Sequence, residues 1–311
     1  MPLITIFTAP KPFTHPHDTL IQRNVIKNIV ALGPEVELVL VGYEPGIAET
    51  AAEFGVKCYT NVRTTPQGTP LVSSIFDLAR QANDSPLLAI INADDLLFPD
   101  FIEAGRKTLE QHKKFLICGQ RWDIDITEPL EFEKGWEETL RNHIRTKGQL
   151  HGIVGSDYFM FPRECYKDMP DFAIGRSGWD NWMIYKARYE KWPTVDVTPS
   201  VTVGHENHDY HHLPGNKPPY RLPETQENIR LAGGKRCLFT LLDVDYTLKD
   251  GKVVPAPMDK AMRKRHVETF PLITLRSRPL GFLFFLLFNP KKGLEEIKAY
   301  ILRIIRKPAK A

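Results

Sequence analysis

Asp94 and Asp95 sit inside the stretch "LLAIINADDLLFPDF", residues 87–101. Two adjacent carboxylates directly after an apolar run repel each other, so the pair calls for positive charge nearby. A hard divalent cation is the simplest supply. Mg2+ or Mn2+ takes oxygen ligands, usually one or two protein carboxylates with substrate phosphates and water around the rest. Such an ion offsets the repulsion and stabilises a departing diphosphate. The same acids could instead open a loop and cap a helix beginning near Pro99, where Asp is favoured.

Two other stretches carry residues suited to chemistry. In "GRSGWDNWMIYKAR", Asp180 lies between two tryptophans, close to an expected helix start. Aromatic shielding from water raises a carboxyl pKa and suits it to proton transfer. A helix N-terminus would favour an acid there without any catalytic role. "VTVGHENHDYHH" presents His205, His208, His211 and His212. Spacing of three lets the first three share a face, and a metal ligand among them is a reasonable expectation. His205 is favoured, because the end of a strand positions it more rigidly than a loop holds the others. Surface histidines without a role are the plain alternative.

The elements that must position these residues alternate over the first 120 positions. "LITIF", "VELVLVG", "VKCY", "PLLAII" and "FLICG" are short apolar runs. Between them, "TLIQRNVIKNIVAL", "IAETAAEF", "PLVSSIFDLARQA" and "PDFIEAGRKTLEQH" have helical periodicity. This alternation predicts a parallel sheet with helices on both faces. Near-continuous apolar strands fit that double burial. Ligands of such sheets bind beyond the carboxyl ends of the strands, which is where Thr8–Pro10, Gly42–Glu44 and Asn92–Asp95 fall. Further on, "EKGWEETLRNHIR", "GWDNWMIYKARYEK" and "PETQENIRLAG" read as helices, and "SDYFMF" and "VTVGH" as strands.

Composition sets limits on function. The 311 residues are 42% hydrophobic and 25% charged, as in a globular protein with a sizeable core. Four distant cysteines with no CxxC pair argue against a zinc ribbon or a disulfide framework. No secretory signal is expected from "MPLITIFTAPKP", so a reducing cytoplasmic location is the expectation. From Asp259 onward there are 13 Lys or Arg against 4 Asp or Glu, a net +9; the whole chain is +3, so the rest is −6. Nucleic acid is an unlikely partner for a net-acidic body whose basic residues gather beside apolar ones. In that tail, the nine-residue run "LGFLFFLLF" is too short to span a bilayer. "KKGLEEIKAYILRIIRKPAK" places Leu294, Ile297, Ile301, Ile304 and Ile305 on one helical face. A basic amphipathic helix beside an apolar wedge suits a membrane surface. Packing on the main domain, or a dimer contact, would suit it too. The division expected is a body over 1–258 and a membrane-associating tail over 259–311.

The order of these motifs over roughly residues 3 to 250 resembles the GT-A glycosyltransferases, most closely the bacterial family 2 type. "NADDLLFPDF" is similar to that family's DxD stretch, with Asn92 in place of the first Asp. "HGIVGSDYFMF" is similar to its Gly-containing acceptor loop. "GWDNW" stands where the family carries its xED motif, with Trp-Asp for Glu-Asp, and His205 stands where many members have a metal-binding His. The resemblance implies an α/β GT-A (Rossmann-like) fold, a mostly parallel sheet flanked by helices, with a C-terminal helical tail. It implies that Asp94, Asp95 and His205 hold Mn2+ or Mg2+ on the diphosphate of a nucleotide-sugar donor. Thr8, Ala9 and Glu44 would lie around base and ribose, and Arg63 with "TTPQGTP" would flank the phosphates. Asp180 would be the general base toward an acceptor bound by Gly155, Ser156, Asp157 and Trp179. A base on the acceptor side implies inversion by single displacement. A glycan or lipid-linked acceptor, met at the inner face of the membrane, follows from the tail.

Other readings keep the acids but change the chemistry. The Asp pair and the His cluster could form a two-metal phosphoester hydrolase site, although no upstream Asp-x-His pair accompanies them. A nucleotidyltransferase would need a Gly-rich loop after the first strand, and "FTAPKPFTHP" has no Gly. A non-catalytic, membrane-tethered sugar- or nucleotide-binding module would keep the groove without requiring Asp180.

Overall fold

The short apolar runs become the strands of one central sheet. In the computed structural model, described over residues 1–207 and 219–305, the first half alternates as its periodicity predicts. The order is β1 (Ile4–Thr8), α1 (Pro16–Ala31), β2 (Val36–Val41), α2 (Ile47–Phe54), β3 (Lys57–Tyr59), α3 (Val72–Ala82), β4 (Leu87–Ile91), β5 (Asp95–Leu96), α4 (Pro99–Gln111) and β6 (Leu116–Cys118). Then come β7 (Trp122–Ile124), α5 (Trp136–Lys147), β8 (Gln149–Leu150), β9 (Tyr158–Pro162), α6 (Trp179–Tyr189), β10 (Thr194–Asp196) and β11 (Gly204–Glu206). The chain continues through α7 (Pro223–Leu231), the hairpin β12 (Tyr246–Lys249) and β13 (Lys252–Pro255), and the tail helices α8 (Lys260–Ile273), α9 (Arg278–Phe288) and α10 (Pro290–Ile305).

The large sheet has the order β13-β12-β10-β6-β9-β4-β1-β2-β3. Its strands run one way except β9 and β13, which are antiparallel to their neighbours. The mostly parallel sheet flanked by helices is therefore the fold that the alternation predicted. Successive residues of a strand face opposite sides, and the core splits accordingly. Ile4 and Ile6 join Val25, Ile29 and Phe101 on the α1 and α4 side. Phe7 joins Phe76, Phe161 and Met183 on the α3 and α6 side. Gly105 lets α4 lie close to the sheet, since a Cβ there would come within 2.5 Å of Met160 Sδ on β9.

A second sheet of four short strands, β5-β11-β7-β8, stands beyond the carboxyl ends of β4 and β6. Strands of two or three residues carry no readable periodicity, and of these four only β11 has a sequence signal. Its strand runs Gly204–Glu206, so His205 occupies the middle of the strand rather than its end. His208, His211 and His212 lie outside the described residues. The first tail helix shares the body's core, with Leu272 and Ile273 buried beside Phe239 and Cys237.

Candidate functional site

The small sheet assembles the site. In register, Asp95 of β5 lies opposite His205 of β11, and His205 lies opposite Asp123 of β7. Cross-strand partners share a face, so one row carries acid, imidazole and acid. Asp94 precedes β5 in the turn, and its carbonyl accepts from the Glu206 N–H at 2.9 Å. This backbone bond ties the acidic turn to β11.

Asp94, Asp95 and His205 are all buried, and one ligand atom from each lies within 4.8 Å of the others. His205 Nδ1 is 3.2 Å from Asp94 Oδ1 and 3.2 Å from Asp95 Oδ1. Asp95 also accepts from the Asn92 N–H at 3.1 Å. Burial disfavours the imidazolium, but Asp94 and Asp95 outweigh that and push its pKa up to about 9. Burial likewise raises Asp95, against the pull of His205. Two carboxylates and one imidazole converging on a buried point form a mixed oxygen and nitrogen donor set. That set fits a divalent ion such as Mn2+.

Further charges surround the three. Asp157 also reaches them: its Oδ2 is 3.9 Å from His205 Nδ1. Its carboxylate pairs with Arg121. Arg121 Nε also bonds Asp123 at 2.9 Å, and His151 Nδ1 lies 2.7 Å from the other oxygen of Asp123. Burial pushes Asp123 up, yet His151 and Arg121 hold it below the usual carboxylate range. On the opposite face of β11, Glu206 is fully buried. It accepts from Asn24 at 3.3 Å, and its Oε1 has no partner among the described residues. Burial raises its carboxyl to about 8. On the β1 side, Lys11 Nζ is 3.5 Å from Asp94 Oδ2. Lys11, Arg121, Asp123, His151 and Glu206 were not singled out from the sequence. Glu206 had a signal as the residue beside His205, and His151 as the first residue of the Gly-containing loop.

The remaining candidates fall in three places. Thr8 ends β1, buried, with its hydroxyl lacking a hydrogen-bond partner among the described residues; Ala9 follows it, partly buried. Glu44 is partly buried in the loop after β2. Arg63 turns to Asp171 at 3.3 Å and Ser73 at 3.1 Å. Ser156 Oγ donates to the Gly119 carbonyl at 3.0 Å, and Gly155 lies beside His151. Trp179 packs edge-on against Phe159, with ring centroids 6.1 Å apart.

Asp180 sits in the first turn of α6, whose N-cap is Gly178 at φ 111°, a conformation that only Gly adopts readily. Its carboxylate accepts from the Gly178 N–H at 3.1 Å. Burial raises its pKa, while the backbone N–H groups of Asn181, Gly178 and Asp180 itself pull the other way. The next residue, Asn181, donates to the Val154 carbonyl at 3.2 Å and to that of Phe239 at 2.8 Å. Through Asn181 the α6 terminus is pinned to the same loop that carries Asp157.

No protein-family model and no curated protein sequence matches the chain. Among solved structures it is similar to S. aureus TarS residues 1–349 in complex with UDP-GlcNAc: 14% identity, TM-score 0.47, covering 93% of this chain and 80% of that one. It is also similar to the mannosyltransferase PcManGT from Pyrobaculum calidifontis in complex with GDP-Man and Mn2+: 13% identity, TM-score 0.43, covering 99% and 81%.

Proposed function

We propose that the chain is a metal-dependent glycosyltransferase of the GT-A type, moving a sugar from a nucleotide-sugar to an acceptor hydroxyl with inversion. The observation that carries this reading is the buried convergence of Asp94, Asp95 and His205 at the carboxyl end of a mostly parallel sheet. These three residues would hold the ion, with Mn2+ suited better than Mg2+ because one ligand is an imidazole. The ion supplies charge neutralisation for the leaving diphosphate. Thr8, Ala9 and Glu44 would line base and ribose, and Arg63 would flank the phosphates. Asp180 would take the proton of the acceptor hydroxyl. Its raised pKa suits a base, and Asn181 fixes its helix terminus to the loop that holds Gly155 and Ser156.

Thermal stability with a panel of nucleoside diphosphates, with and without Mn2+, tests the reading. A metal-dependent rise in melting temperature for one nucleotide is expected. At a ligand concentration of a hundred times Kd the stabilisation is about 2.7 kcal/mol. Stabilisation by Mn2+ with no nucleotide effect would point to the phosphoester hydrolase instead. No response to either would leave Asp94 and Asp95 as turn residues.

The tail would rest on an anionic membrane surface at the cytoplasmic face. No described helix is long and apolar enough to cross a membrane. Leu280, Leu283 and Leu287 of α9 and Leu294 and Ile301 of α10 are exposed within the segment that carries +9. Sedimentation of the full chain with anionic vesicles is expected, and neutral vesicles should bind it far less. The pair Leu283→Glu and Leu287→Glu should lower vesicle binding by at least about tenfold, since each change removes buried apolar area and adds a repelled charge. Unchanged binding would sink the tail's role. Truncation is a poorer test, because α8 contributes Leu272 and Ile273 to the core.

A further inference from the structure

Lys11 lies three residues beyond the end of β1, as Asp94 lies three beyond the end of β4. The two strands are adjacent and parallel, so both loops leave the sheet side by side. Lys11 is held there by its backbone. Gln22 of α1 accepts from the Lys11 N–H at 2.5 Å and donates to the Lys11 carbonyl at 3.1 Å. Gln22 is itself buried, which fixes the clamp. The side chain then extends to Asp94 Oδ2 at 3.5 Å and Asp18 Oδ1 at 4.0 Å, with under a fifth of its surface exposed. A lysine stem immobilised at its root and a head set against a metal-ligating carboxylate are costly in side-chain entropy. A surface ion pair would not repay that cost.

We propose that Lys11 is the diphosphate-binding cation of the donor site. Before a divalent ion binds, its ammonium balances Asp94; once the ion takes Asp94, the ammonium turns to a phosphate oxygen. The inference rests on the nucleotide-sugar reading above and adds a residue and a role to it. Position supports the role. Lys11 follows Thr8 and Ala9, which would line the base, and its head lies 3.5 Å from Asp94, which would hold the ion. The diphosphate is the part of a nucleotide-sugar that lies between base and metal. A lysine serves here as a point charge that can swing between two partners, which the rigid fork of an arginine does less well.

Isothermal titration of the full chain tests this with two probes, Mn2+ alone and then inorganic pyrophosphate at saturating Mn2+. Lys11→Met keeps the stem and the backbone clamp and removes the charge. Mn2+ alone should bind Lys11→Met about tenfold more tightly than wild type, because a like charge beside the ion is gone. Pyrophosphate should bind it about tenfold more weakly, the scale of one charge-assisted hydrogen bond. Lys11→Arg should restore pyrophosphate binding to within a few-fold, which a merely structural lysine would have no reason to do. Unchanged or weaker Mn2+ binding in Lys11→Met, or unchanged pyrophosphate binding, would overturn the role. A wild type that takes up no Mn2+ would overturn the metal centre itself, and Lys11 with it. Wild-type Mn2+ uptake with a silent Lys11→Met would overturn Lys11 alone.

Discussion

Asp95→Asn should lower sugar transfer on the order of a thousandfold while leaving the fold intact. Asp95 is the most enclosed of the three ligand candidates, with no exposed surface. Its carboxylate accepts from the Asn92 N–H, which an amide oxygen can also do, and its strand register with His205 is a backbone property. The substitution therefore conserves shape and removes one negative charge from the proposed metal site. Loss of a single group that stabilises transition-state charge costs about a hundred- to a thousandfold, and here the ion is weakened as well. The measurement is turnover of the nucleotide-sugar whose diphosphate gives the largest thermal shift, with circular dichroism as the folding control. Activity within tenfold of wild type, in a folded variant, would mean that the reaction does not run through this centre.

With a chelator present, the melting temperature should fall as pH rises from about 6.5 to about 9. Burial depresses the imidazolium of His205, but Asp94 and Asp95 more than compensate, so the folded state keeps its proton up to about 9 against an ordinary value of 6.5. A group with a raised folded-state pKa contributes stability fully below its unfolded value and loses it as pH climbs through the folded one. The span is worth on the order of 3 kcal/mol. Glu206, raised by burial from 4.5 to about 8, slopes the same way over a lower range. Mn2+ should reverse the trend. Only neutral imidazole ligates, so binding expels the proton, and affinity should climb about tenfold per pH unit until about 9. Melting curves at several pH values, with EDTA and with Mn2+, read both slopes. His205→Gln should abolish the Mn2+ slope and the EDTA slope above about pH 8, leaving below it the slope that Glu206 contributes. A flat EDTA series in the wild type would show that His205 is not held protonated.

The parts of this molecule that could be read from the sequence are those whose signal is local. β1, β2 and β4 declare themselves as near-continuous apolar runs because both of their faces are covered. Asp94 and Asp95 stand out because they are neighbours in the chain. Asp123, Arg121 and Lys11 do not, since what joins each to the site lies far away in sequence: His205 for Asp123, Asp157 for Arg121 and Asp94 for Lys11. His205 and Asp95 are 110 positions apart and meet only through a register in a sheet of very short strands. Asp157 shows the same limit. Its motif gives no sign that its carbonyl, accepting from the Asn92 N–H at 3.1 Å, holds its loop against the acidic turn. The helix α8 went unread because its basic residues and internal Pro271 obscure its apolar face.

β9 has a consequence for how the chain reaches this state. It is the sole described link between the β3-β2-β1-β4 half of the large sheet and the β6-β10-β12-β13 half. All five of its residues are buried, and it pairs Leu87–Ile91 on one side and Ile117 on the other. Until Tyr158–Pro162 has left the ribosome and inserted, β4 presents an open apolar edge, the kind that recruits other chains. Five strands of the larger sheet must wait for a keystone made almost seventy positions after the first of the two edges it closes. Nascent chains stalled before Tyr158 should thus aggregate more readily than the finished chain, because the antiparallel strand is the latch that ends the exposure.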